Sequence, residues 1–137
     1  MDNNFMRQLF GNNYAYKLTN TIIKDTILDK LEKYYKIKLF IPYGKIYKII
    51  KNKNDLLDAQ NYGHLVNFSL KCPISYLYLM EHEGIRFCYY ITGTDRNNAE
   101  LYSVVQRFHT DLFNKETLIE GYITDKVFIV EDIVIHK

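Results

Sequence analysis

The chain has 137 residues, 47% of them apolar and 25% charged, which suits a soluble globular domain and excludes a disordered or fibrous chain. No apolar run approaches the roughly 20 residues of a membrane-spanning helix, and residues 1–10 lack the basic-then-apolar order of a secretory signal. The net charge of +2 hides a polarity: residues 1–53 carry eleven Lys/Arg against four acids, and residues 54–137 carry seven against twelve.

Eight lysines and a single acid, Glu32, lie between Lys30 and Lys53. Such an end can meet a polyanion, or dock against the acidic half of another copy or a partner. Cys72 and Cys88 have no metal-ligand spacing and read as buried thiols of a reducing, intracellular compartment, the cytoplasm of a cell or infected host. Asn67-Phe68-Ser69 is a glycosylation acceptor in form only, given that compartment. Abundant Asn, Lys, Ile and Tyr fit an A+T-rich coding sequence, as in some viruses, protists and bacteria.

In chain order, residues 1–16 read as an Asn-rich arm, with Phe5, Met6, Leu9 and Phe10 as possible anchors. The remainder, 17–137, reads as a single domain. Ile23, Ile27, Leu31, Tyr34 and Tyr35 recur at helical spacing, and Thr19 or Asn20 can cap, so a helix is expected over about 20–36. Asp29 with Lys33 and Glu32 with Lys36 stand at i,i+4, acid first. A short strand is expected over 37–41, stopped by Pro42-Tyr43-Gly44, with 45–51 as the returning arm of a hairpin. Residues 52–55 read as a loop, and 56–63 as either a short helix or irregular chain. Strands are then expected at 64–70, 76–80, 85–92 and 100–105, with a turn at 93–98. Residues 108–115 are polar with scattered apolar positions. Strands 117–123 and 126–135 flank a tight turn at Thr124-Asp125. A helix followed by a mostly antiparallel sheet is the α+β class.

Several of these segments resemble the strands that frame the nucleotide pocket of covalent nucleotidyltransferases such as messenger-RNA capping guanylyltransferases. Glu81-His82-Glu83-Gly84-Ile85-Arg86 resembles the Lys-x-Asp-Gly motif with its Ile-Arg extension. Val104-Val105-Gln106-Arg107-Phe108 resembles the segment before the second hairpin. Thr117-Leu118-Ile119-Glu120-Gly121 resembles Thr-Leu-Leu-Asp-Gly, and Phe128-Ile129-Val130-Glu131-Asp132-Ile133 resembles Tyr-Leu-Ile-Tyr-Asp-Ile. The match covers about residues 64–135 and implies a sheet resembling part of a nucleotidyltransferase domain. Glu81 stands where the resemblance requires the nucleophilic lysine, Tyr122 replaces an expected metal-side carboxylate, and the later lysine motifs are missing. A carboxylate repels phosphate, so no catalytic residue is expected and the chain reads as a non-enzyme. Snurportin-type cap-binding domains resemble the same fold without catalysis, and Gly84-Arg86 and Arg107-Phe108 are similar to their sequence.

The resemblance implies a non-catalytic binding protein that recognises RNA or a cap-like nucleotide, in an RNA-processing or viral assembly. Arg86 and Arg107 are the candidate phosphate contacts, since arginine pairs bidentately with phosphate. For Arg86, an ion pair with Glu83, Glu120 or Asp132 is the structural alternative. Lys38, Lys45 and Lys48, in a stretch of interleaved lysines and tyrosines, are candidate backbone contacts, or else a solvated face with snorkelling side chains. The histidines have no zinc-site spacing, and no metal site or cofactor is expected. Two alternatives stay open: a structural subunit whose uncovered strand edges favour a protein partner or homo-oligomer, and a fragment of an active capping-type enzyme.

Overall fold

The computed structural model describes residues 6–11, 14–40, 51–61 and 74–136. The chain divides into two compact units, Met1–Phe40 with Cys72–Lys137, and Ile41–Lys71. The second unit falls inside the stretch that the sequence presents as one domain, 17–137.

The larger unit is built on a seven-stranded sheet in which every pairing is antiparallel. Its strands are β1 (Met6–Gln8), β2 (Tyr14–Lys17), β3 (Ser75–His82), β4 (Ile85–Thr92), β5 (Glu100–Val104), β6 (Thr117–Thr124) and β7 (Val127–His136). Their spatial order is β1-β2-β5-β4-β3-β6-β7. With three helices among the described residues, the class is α+β.

Side chains alternate between the two sheet faces, so the register sorts the core into two layers. On the first face lie Tyr76 and Tyr78 of β3, Tyr89 and Ile91 of β4, Leu101 of β5, Leu118 of β6 and Ile135 of β7. Helix α1 (Thr21–Asp29) and the π-helical turn that continues it (Lys30–Tyr34) cover this layer with Ile27, Leu28 and Leu31. Leu28, Leu31, Ile91, Leu101 and Leu118 are wholly buried, each contributing about 1.5–3 kcal/mol through the water it sheds. On the second face lie Leu77, Leu79, Cys88, Tyr90, Tyr102 and Val104. Leu9, Phe10, Ala15 and Phe113, the last from the short helix α3 (Thr110–Asn114), close that layer.

Helix α1 starts where its cap dictates: the Asn20 side chain accepts from the backbone N–H groups of Ile22 and Ile23. The Asp29–Lys33 pair forms at 3.4 Å. Glu32 instead faces Arg96, at 3.7 Å. Lys36 adopts a left-handed backbone, φ 57°, that ends the helical run short of residue 36.

The structure departs from the sequence-based expectations at several points. Residues expected as an N-terminal arm supply β1 and β2, with Ala15 buried against the second layer and paired to Val104. Residues 37–40 are not a strand. Leu39 is buried and its carbonyl accepts from the Tyr76 hydroxyl at 2.6 Å, leaving it no role in a ladder. Helix α2 (Lys53–Asn61), in the smaller unit, begins inside the expected loop because Asn52 caps the Asp55 N–H at 3.0 Å. Residues 110–114 are helical, with the His109 ring accepting from the Asp111 N–H. The β6–β7 turn is Asp125-Lys126, one residue later than expected, with φ 48° and 62° at its two positions. The expected strand over 64–70 and the expected hairpin arm over 45–50 lie outside the described residues.

Candidate nucleic-acid interface

The hairpin of β3 and β4 carries the segment that most resembles an active site. Its two-residue turn is Glu83-Gly84, with φ 52° and 79°, the mirror-image turn whose twist matches antiparallel strands. That turn fixes the register, so Glu81 stands directly opposite Arg86 and His82 opposite Ile85. Paired residues share a face, and Glu81 meets the Arg86 guanidinium at 3.7 Å. The same guanidinium sits 6.0 Å from the centre of the Phe113 ring. The partner of Arg86 is therefore Glu81, not Glu83, Glu120 or Asp132. The Glu81 carboxylate serves as its counter-charge.

Gly121, the glycine of the Glu-Gly pair in β6, has a packing cause. A Cβ there would meet the Ile129 carbonyl oxygen at 2.0 Å and Phe128 Cε1 at 2.7 Å. The close approach arises because β7 carries two bulges. Its pairing jumps from Glu120↔Asp132 to Gly121↔Val130 and from Leu118↔Ile135 to Ile119↔Ile133, leaving Glu131 and Val134 extra. Tyr122 is buried.

The remaining candidate residues are dispersed. Arg107 is exposed, directly before Phe108, whose ring lies 6.2 Å from that of Phe113. Arg86 thus borders the Phe108–Phe113 pair on the second face, and Arg107 is next to it in sequence only. Lys38 is exposed on a segment whose neighbour Leu39 packs into the first face, so it is not brought to Arg86. Lys45 and Lys48 lie outside the described residues.

Two arrangements escaped the sequence reading. The first is Arg96, in the loop between β4 and β5. Its guanidinium reaches Asp29 at 2.6 Å, Glu32 at 3.7 Å and Asp25 at 3.8 Å, and donates to the Asp25 carbonyl. The Arg96 guanidinium beside it holds the Asp29 carboxyl below its ordinary range. The spacing Asp25, Asp29, Glu32 puts three acids on one helix stripe, a signal that a cation must face them. With those acids engaged, Lys24, Lys36 and Lys38 make no ion pair among the described residues.

The second is β2. Alternation buries Ala15 and leaves Tyr14 and Tyr16 at 52% and 49% exposure on the opposite face. Tyr16 pairs with Ser103, which pairs in turn with Tyr89. Tyr16 therefore belongs to the face that α1 covers further along. Tyr-Ala-Tyr, with a small residue between two aromatics, is the period-two signal that could have marked this strand.

A half-buried polar cluster sits between the π-helical turn and the start of β6. The Glu116 carboxylate receives the Lys30 ammonium and the Tyr35 hydroxyl. Burial alone would raise its pKa, yet those two donors outweigh burial and hold it below the usual carboxylate range. Burial, reinforced by the charge of Glu116, pushes the Tyr35 and Tyr78 hydroxyls upward. All of these groups serve helix-to-sheet attachment. Among the described residues no group of three or more His, Cys, Asp or Glu could hold a metal ion, and no helix is long and apolar enough to cross a membrane.

No family model matches the chain, and neither a curated protein nor a solved structure matches it.

Proposed function

We propose that the protein is a non-catalytic, intracellular RNA-binding domain, a nucleotidyltransferase-like sheet reused for recognition of single-stranded RNA. The observation that carries this reading is the placement of charge around α1. Arg96 engages the three acids of the helix stripe, while Lys24, Lys36 and Lys38 remain available to phosphate on the same segment. Lysine–phosphate contacts release counterions, so affinity should fall with a log–log slope of about −0.7 per phosphate on single strands. Three contacts predict a slope near −2, or roughly a 15- to 20-fold loss between about 50 and 200 mM salt. The test is a titration of end-labelled RNA, capped and uncapped, at both salt concentrations. Affinity that ignores salt removes the proposal. A preference for the capped strand that Arg86→Ala abolishes would assign the cap to the Glu81–Arg86 hairpin.

A second reading, a partner-binding or self-associating subunit, is favoured by β7. Val127, Val130 and Ile133 are 52%, 55% and 59% exposed on this outermost strand, and such strands invite pairing. Sedimentation across a concentration series tests it: a monomer at all concentrations, with no complex recovered, excludes self-association.

A further inference from the structure

We infer that Tyr14 and Tyr16 form a stacking site for unpaired nucleobases, an inference that rests on the RNA-binding reading above. The two residues stand at i and i+2 of β2, so their rings project from one sheet face about 7 Å apart. Neither ring is packed away: both are close to half exposed, although Ala15 between them is buried to 1%. The cross-strand neighbour of Tyr16 on β5 is Ser103, whose side chain is too short to cover an aromatic ring. Beyond Ser103 stands Tyr89, stacked on Phe87 with ring centres 5.7 Å apart and planes 7° from parallel. The surface thus presents two open rings beside a low position, at the margin of the buried first layer to which Tyr89 belongs.

Aromatic rings on a sheet surface bind bases through their π-faces, in a sequence-tolerant way. Charge selects this occupant over an apolar peptide. The face is shared with α1, which carries Lys24, and with the π-helical turn, after which Lys36 and Lys38 follow; the acids of this run are engaged by Arg96. A polyanion bearing flat apolar groups matches both features at once. The aliphatic exposure of β7, by contrast, belongs to the far edge of the sheet.

The experiment compares an end-labelled oligouridylate with an abasic ribose-phosphate strand of equal length, at one salt concentration, by fluorescence anisotropy. The protein should prefer the strand with bases by about tenfold or more, the scale of base–aromatic stacking. Tyr14→Ala/Tyr16→Ala should erase that preference while leaving abasic binding unchanged, and Tyr14→Phe/Tyr16→Phe should keep it. Photocrosslinking of a thiouridine strand to the unaltered protein should mark Tyr14 or Tyr16, a readout independent of whether the alanine variant folds. Failure to bind either strand refutes the RNA-binding reading itself. Equal binding of both strands, retention of the preference in the alanine variant, or crosslinks elsewhere overturn the stacking site alone. An alanine variant with altered self-association and unaltered RNA binding would assign the rings to a protein contact instead.

Discussion

Replacing Gly121 with alanine tests whether the Glu120-Gly121 pair is explained by packing. The new Cβ would lie 2.0 Å from the Ile129 oxygen, where real contacts start near 3.0 Å, so the β7 backbone must withdraw by about 1 Å. Overpacking of this kind costs about 1–3 kcal/mol. A retreat that loosens one or two ladder hydrogen bonds adds about 0.5–1.5 kcal/mol for each. Alanine returns about 0.5–1 kcal/mol through the smaller entropy of its unfolded chain. The net loss is about 2–3 kcal/mol, a large share of the roughly 5–15 kcal/mol of a typical domain. Urea unfolding followed by far-ultraviolet circular dichroism reads it directly. With a slope of about 1–3 kcal/mol/M, the midpoint should fall by about 1 M or more. A shift below about 0.3 M with an unchanged slope would refute the packing account. The glycine would then need an explanation other than packing.

Gly84 makes a contrasting case, because a Cβ there has open space and only its φ of 79° resists substitution. Gly84→Ala should cost about 1–2 kcal/mol, and Gly84→Asn measurably less, in the same unfolding assay. Glu116 has a depressed folded pKa, so its contribution to stability is present above its usual value near 4.5 and is lost as pH falls below it. An acid titration of stability should therefore show a flatter limb below that pH in Glu116→Gln, and an unchanged limb would show that the Lys30–Tyr35 attachment does not depend on this charge. Burial pushes the Cys88 thiol from 9.0 up to about 12. In a Cys72→Ser background, alkylation of the native protein at pH 8 should be at least about a hundredfold slower than after unfolding, and comparable rates would mean that the second core layer is open.

The strands of the second half were legible because hydrophobic alternation and turn residues agree there. The expected strand 85–92 is β4 residue for residue. The start of α1 was legible for a local reason, since Asn20 satisfies the first free N–H groups of the helix. β2 was not. Its signal, Tyr-Ala-Tyr, is three residues long, and its partner β5 lies far along the chain, where no local pattern can announce the pairing. Arg96 was hidden for the same reason: a turn residue became a counter-charge only once the sheet carried its loop to α1. At the candidate site, the spacing of Glu81 and Arg86 was visible in the chain, but their ion pair follows from the hairpin register. Lys38 was a candidate backbone contact, and its separation from Arg86 depended on which sheet face each element occupies.

The pairing of Ala15 with Val104 joins positions nearly ninety residues apart, and it bears on the order of events during folding. Closing so long a loop carries a high entropic cost before any contact compensates it. The compact meander of β3, β4 and β5 can assemble from neighbours in sequence, with β6 and β7 added as a further hairpin. β1 and β2, first in the chain, have no template until β5 is in place. Tyr14 and Tyr16 therefore reach their final positions late, and a partly folded chain would lack the pair of exposed rings that they form. The exposed aromatic pair would then be a mark of completed folding.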